Sequence, residues 1–181
     1  THNHDRRYSD PRDVPGQNYG VYPGNGLVYL DVDDYSEDTD DKGLEAIREL
    51  PETLTTESPH TDGDPGGHYF YHVTGEAVDA LEAAFGTANP HPTWGEVRAH
   101  NQYVVGPGSQ LNGCDKEWCD ECMEPDKGWY QIATDAPIAT ITAEELVDAL
   151  EADPVLTRKE HTSDGSDAGD GARDGRETRG E

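Results

Sequence analysis

The sequence predicts an α+β domain: a mixed or antiparallel sheet flanked by short helices. Three observations carry that reading. Val28, Leu30 and Val32 alternate with Tyr29, Asp31 and Asp33, the period-two pattern of a strand with two different faces. Leu44, Ile47 and Leu50 recur at helical spacing and Pro51 ends the run. Thr142 stands three residues before Glu145, the capping-box arrangement that opens a helix.

In chain order, residues 18–22 and 26–33 read as strands joined at the turn Gly24-Asn25-Gly26. Residues 40–50 form the first helix. Residues 53–57 and 68–73 are strands linked by a Gly/Asp/Pro loop, and 76–85 is a helix stopped by Gly86. Strands 94–99 and 102–105 follow, with His100-Asn101 as a tight hairpin link. Residues 128–132 read as a strand and 143–151 as the last helix.

The chain has 181 residues, enough for one domain with trailing segments. The expected division is an N-terminal flank at 1–17, the domain at 18–156 and a disordered acidic linker or tail at 157–181. That tail has no apolar residue larger than Ala, so it cannot offset its ordering entropy. Hydrophobic residues make up only 32%, mean hydropathy is -0.92 and the net charge is -26. The acids run from end to end through patterned segments, and only Lys42, Lys116, Lys127 and Lys159 are lysines. Such a chain is expected to fold in a salt-loving cell, where a Debye length near ~3 Å at molar salt stops the acids repelling. No run of about 18 apolar residues exists, which argues against a membrane span. The opening Thr1-His2-Asn3-His4 is no signal peptide and suggests a piece of a longer protein. Cys114, Cys119 and Cys122 cluster within nine residues, favouring metal binding in a reducing, cytoplasmic compartment over disulfides.

Four segments carry candidate chemistry. Asp31 and Asp33 share one face of their strand, so they can hold one or two hard cations such as Mg²⁺; an acidic strand edge is the plainer alternative. Pro65-Gly66-Gly67 leads directly into His68, an imidazole beside a flexible loop that can approach a phosphate; a turn with a surface histidine is the alternative. Glu96 and Arg98 share a strand face, as a further metal carboxylate and a phosphate contact, or as a simple ion pair. Cys114-x4-Cys119-x2-Cys122 can fill three corners of a tetrahedral Zn²⁺ site within a small insertion at about 111–128. The fourth ligand stays open among His100, His91, His72, Asp115 and Asp120.

An LDVD strand, a GGH-Y-F strand and a GEVR segment running on to YVVGPGS, in that order, resemble the bifunctional primase/polymerase (prim-pol) domain of the archaeo-eukaryotic primase superfamily. The resemblance runs from about residue 18 to 141. It implies a catalytic core containing an RRM-like sheet, with Asp31, Asp33 and Glu96 as Mg²⁺ or Mn²⁺ ligands and His68 as the nucleotide-phosphate contact. Some relatives carry a zinc-stabilised insertion, which fits the cysteines. The second motif in relatives usually reads Ser-Gly-Gly-x-His, whereas His68 follows the glycines directly and Ser58-Pro59-His60 lies upstream, which makes His60 a rival. Glu96 stands where many relatives have Asp.

The implied activity is metal-dependent, template-directed nucleotidyl transfer in DNA replication, with a single-stranded DNA template and nucleoside triphosphates as partners. A helicase, following the tail or separate, is a further expected partner. Tyr69, Tyr71 or Trp94 are the expected base-stacking residues. The rivals are a catalytically degenerate nucleic-acid-binding module and a metal-dependent phosphoesterase using the same carboxylates.

Overall fold

The computed structural model describes residues 18–33, 40–60, 66–111, 113–114, 119, 122–124 and 127–159. The expected N-terminal flank, Asp115, Asp120 and nearly all of the expected tail lie outside them. Eight strands and three helices follow in the order β1 (Gly20–Val21), β2 (Leu27–Val32), α1 (Asp41–Arg48), β3 (Thr55–Glu57), β4 (Gly67–Thr74), α2 (Ala77–Phe85), β5 (Gly95–Arg98), β6 (Val104–Val105), β7 (Gln131–Thr134), β8 (Ala139–Thr142) and α3 (Ala143–Glu151). The main sheet runs β5-β2-β4-β3-β7, with β8 alongside β4. Its pairs are antiparallel except β4–β8, which is parallel. The α+β expectation holds.

The alternation in β2 separates two cores. Val28, Leu30 and Val32 face the helices with Tyr71, Val73 and Val97, and Leu44, Ile47, Leu81, Leu146 and Leu150 close over them. Tyr29 faces the other way with Leu54, Phe70 and Val104, under the β1–β6 ribbon. Tyr29 and Phe70 meet edge to face at 5.2 Å. The helix side therefore holds most of the apolar burial, and the opposite side has room for polar groups.

Two expected hairpins do not form. Asn25 and Gly26 make the turn, at φ 51° and 83°, but it closes only the Gly24–Leu27 bridge. Pro23 has no N–H to extend that ladder, and β1 instead pairs with β6. Residues 94–99 do not return on 102–105 either. The Asn89 side chain takes the amides of Ala99 and His100 and donates to the His100 carbonyl, so this backbone is satisfied without a hairpin partner. The strand expected at 128–132 begins later, because Gly128 and Tyr130 bond Leu111, Ser109 and Gly108. β8 was not expected; it is a short segment running straight into the α3 cap.

That cap matches the expectation. Thr142 Oγ1 accepts from the Glu145 amide at 3.1 Å, and Glu145 accepts from the Thr142 amide at 2.7 Å. These bonds lower the Glu145 pKa, so its stabilising effect is present above the unfolded-state pKa and fades as pH falls through the folded one. Thr142→Ala should cost about 1 kcal/mol in denaturant unfolding.

Candidate active site

Residues directly opposite one another on antiparallel strands share a face. Asp31 on β2 lies opposite Glu96 on β5 and His68 on β4. His68 in turn lies opposite Thr56 on β3, and Thr56 opposite Ile132 on β7. A single row, Glu96–Asp31–His68–Thr56–Ile132, thus crosses five strands on the face away from the helices.

The acidic end of this row is a tight cluster. Arg98 Nη2 donates to Asp31 Oδ2 at 2.6 Å and to Glu96 Oε2 at 3.0 Å. Its Nη1 donates to the Tyr103 carbonyl at 2.6 Å. His68 Nδ1 lies 3.0 Å from the Val105 carbonyl, which can only accept, so Nδ1 carries a hydrogen. That leaves His68 Nε2 facing Asp31 Oδ1 at 3.3 Å. His91 Nε2 reaches Glu96 Oε1 at 3.4 Å. The carboxylates of Asp31 and Glu96 are only 15% and 17% exposed.

Burial alone would raise the Asp31 pKa. The hydrogen bond and charge of His68, with the charge and hydrogen bond of Arg98, outweigh it and hold the carboxyl below its ordinary value. Tyr130 shows the reverse. Burial first, then the charges of Asp31 and Asp33, push its phenol up against the pull of Arg98. Asp33 follows one residue beyond β2, and its amide donates to the Trp94 carbonyl at 2.7 Å.

A single guanidinium nitrogen touches carboxylates from two strands, so these oxygens lie within reach of one cation. The bifunctional DNA primase/polymerase N-terminal (Prim-Pol) family profile matches residues 4–144. The chain belongs to this family. Comparison with curated proteins finds no match. Membership gives the chain a primase/polymerase-type function in general terms, with DNA and nucleotides as its substrates. Among the described residues of this prim-pol chain, no helix is long and apolar enough to cross a membrane.

The acidic cluster fits divalent cations on its donor chemistry: hard carboxylate oxygens, partly buried, already gathered around a positive group. A second cluster fits a softer metal. His60, Cys114, Cys119 and Cys122 bring their ligand atoms within 4.8 Å of one another. His60 Nδ1 lies 3.5 Å from Cys119 Sγ and 3.6 Å from Cys114 Sγ. Two ligands of one tetrahedral zinc, at ~2.0 and ~2.3 Å from the metal, would stand about 3.5 Å apart. His60 was a rival for the phosphate role and was absent from the candidate fourth ligands. It comes from the loop after β3, 54 residues before Cys114, and no local spacing announces it. Of the histidines considered for that place, His100 contacts the Asn101 side chain, His91 contacts Glu96, and His72 lies beside Gly26.

The base-stacking expectation fails. Tyr71 and Trp94 are buried on the helix side, and Tyr69 packs against the same core. The parity that sends Asp31 and His68 to one face sends Leu30 and Tyr69 to the other. The exposed aromatic pair is Tyr22 with Tyr103, ring centres 5.4 Å apart. Tyr130, which no motif singled out, stacks on His68 at 5.5 Å with 17° between planes.

Gly67 is part of β4, where it permits a close approach. Its φ is 155°, and a Cβ there would run into the Thr56 carbonyl. Gly67→Ala should cost about 3 kcal/mol in denaturant unfolding, because both the backbone conformation and the β3–β4 contact resist a side chain.

Proposed function

We propose that this chain catalyses template-directed nucleotidyl transfer, making or extending a nucleic-acid primer on single-stranded DNA. The convergence of Asp31, Glu96 and His68 from three neighbouring strands around Arg98 carries this reading. Asp31, Asp33 and Glu96 hold Mg²⁺ or Mn²⁺, and His68 with Arg98 binds the nucleotide phosphates. Bound at these carboxylates, such cations would supply activation of the primer 3′-hydroxyl and neutralisation of the triphosphate charge.

The bond formed joins the primer 3′-oxygen to the α-phosphorus, and the bond broken releases pyrophosphate. His68 is held by Val105 on one side and presents Nε2 towards Asp31, so as an imidazolium, with both ring nitrogens carrying hydrogen, it can donate to a phosphate oxygen without moving its ring. Arg98 exchanges a carboxylate for a phosphate oxygen when nucleotide arrives. Burial keeps water from competing for these groups.

Cys114, Cys119, Cys122 and His60 hold a structural Zn²⁺. The net charge of -26 opposes DNA binding at low salt, so the protein works in concentrated salt, where screening removes most of that repulsion. The test is primer synthesis and extension on single-stranded DNA in molar KCl with Mg²⁺ or Mn²⁺. Product that lengthens with template and nucleotide supports the reading. Release of monophosphates without extension, or strand binding indifferent to divalent metal, overturns it.

A further inference from the structure

We propose that the cleft beside His68, walled by Tyr19, Trp129, Tyr130 and Ile132, takes the base of the nucleoside triphosphate whose phosphates lie at His68 and Arg98. This deepens the nucleotidyl-transfer reading and rests on it. The cleft has a volume of about 470 Å³ and is closed along one side by Pro107 and Gly108. That lies within the range of small-molecule sites, roughly 300–1,000 Å³.

Its place in the fold selects the ligand. Ile132 ends the residue row that begins at Glu96 and passes through Asp31 and His68, so cleft and acidic cluster share one face of the sheet. Tyr130 belongs to both. Its ring stacks on His68, its phenol feels Asp31 and Asp33, and it forms one wall of the cleft. Its backbone is pinned: its amide donates to the Ser109 carbonyl at 2.9 Å, and its carbonyl accepts from the Gly108 amide at 2.7 Å.

The lining distinguishes a base from a phosphate chain. The cleft walls are aromatic and aliphatic, with the Gln131 amide as the polar side chain besides the tyrosine hydroxyls and with no charged residue among them. A flat, uncharged ring stacks well against Tyr and Trp. A ligand that carries a polyanion at one end and such a ring at the other matches the sequence of surfaces from Arg98 through His68 to Trp129. The Tyr22–Tyr103 pair lies on the other flank, where the Tyr103 carbonyl binds Arg98, and stands apart from the cleft.

The experiment compares dATP with inorganic tripolyphosphate by calorimetry in molar KCl with Mg²⁺, using the full chain. Wild type should bind dATP about tenfold more tightly than tripolyphosphate, one stacked base having roughly that value. Trp129→Ala and Ile132→Asp should remove the advantage and leave tripolyphosphate binding within twofold. Photolabelling of the wild-type chain with 8-azido-dATP should place adducts on Tyr19, Trp129 or Tyr130, a readout that does not depend on any variant folding. Equal affinity for the two probes, or adducts confined to Tyr22 and Tyr103, overturns the base site while the phosphate site stands. If neither probe binds, the nucleotidyl-transfer reading falls with it.

Discussion

Asp31→Asn should lower primer extension by at least about a thousandfold while the chain stays folded. Asp31 is the carboxylate in contact with both His68 and Arg98. It faces His68 Nε2 at 3.3 Å, holds Arg98 at 2.6 Å and sits across from Glu96 on the neighbouring strand. Asn preserves shape and can still accept from Arg98, but it removes the negative charge that a divalent cation requires. The fold survives because Glu96 and the Tyr103 carbonyl still hold Arg98, and the Val105 carbonyl still holds His68. Asp41→Asn, on the exposed start of α1, is the matched control and should retain activity. Extension at the wild-type rate by Asp31→Asn would overturn the assignment.

The same substitution has a pH signature. The Asp31 pKa is lower folded than unfolded, so its charge adds stability above the unfolded-state pKa, and that increment disappears as pH falls through the folded value. Unfolding midpoints of Asp31→Asn should therefore change less between neutral and acid pH than those of the wild type. Parallel curves would mean that His68 and Arg98 do not stabilise the carboxylate.

Strand parity made much of this site legible. The alternation around Asp31 told which residues face the helices, and the same rule carried across the ladder places Glu96 and His68 beside Asp31. The three helices were legible for a related reason: Leu44 and Ile47 in α1, Gly86 ending α2 and the Thr142–Glu145 cap of α3 are local signals. Strand partners were not. The Gly24-Asn25-Gly26 turn is real, yet β1 pairs with β6, a choice made by Pro23 and by contacts more than 80 residues away. Trp94 and Tyr71 were misjudged because an aromatic residue near a motif reads the same whether it faces the site or the core. The place of His60 beside the cysteines and that of Tyr130 on His68 had no local pattern to announce them, since each acquires its partner only when distant segments meet.

His60 is also where the second large effect should appear. Purified protein should carry one zinc per chain, and His60→Ala should weaken zinc binding by roughly a hundredfold. A structural zinc contributes about 10–16 kcal/mol over four ligands, so loss of one is about 3 kcal/mol. The three thiols set the pH dependence of metal binding there. Burial, and then the nearby Cys119 and Cys114, push the Cys122 thiol up to about 12, so without metal it stays protonated at neutral pH. Zinc must displace protons to bind, and affinity should fall steeply as pH drops below neutral. The cluster also joins two distant parts of the chain. The loop after β3 supplies His60, and the cysteines lie between Leu111 and Gly128, whose backbones bond at 2.8 Å. Chelation should therefore lower the thermal midpoint of the whole domain, because it frees the approach to Trp129 and Tyr130 at the edge of the candidate active site. Cobalt in place of zinc should show thiolate charge-transfer absorption in the wild type, reduced in His60→Ala. Metal-free protein whose midpoint ignores chelators, with all three thiols reacting as free cysteines, would show that this cluster holds no metal and that packing alone keeps the loops together.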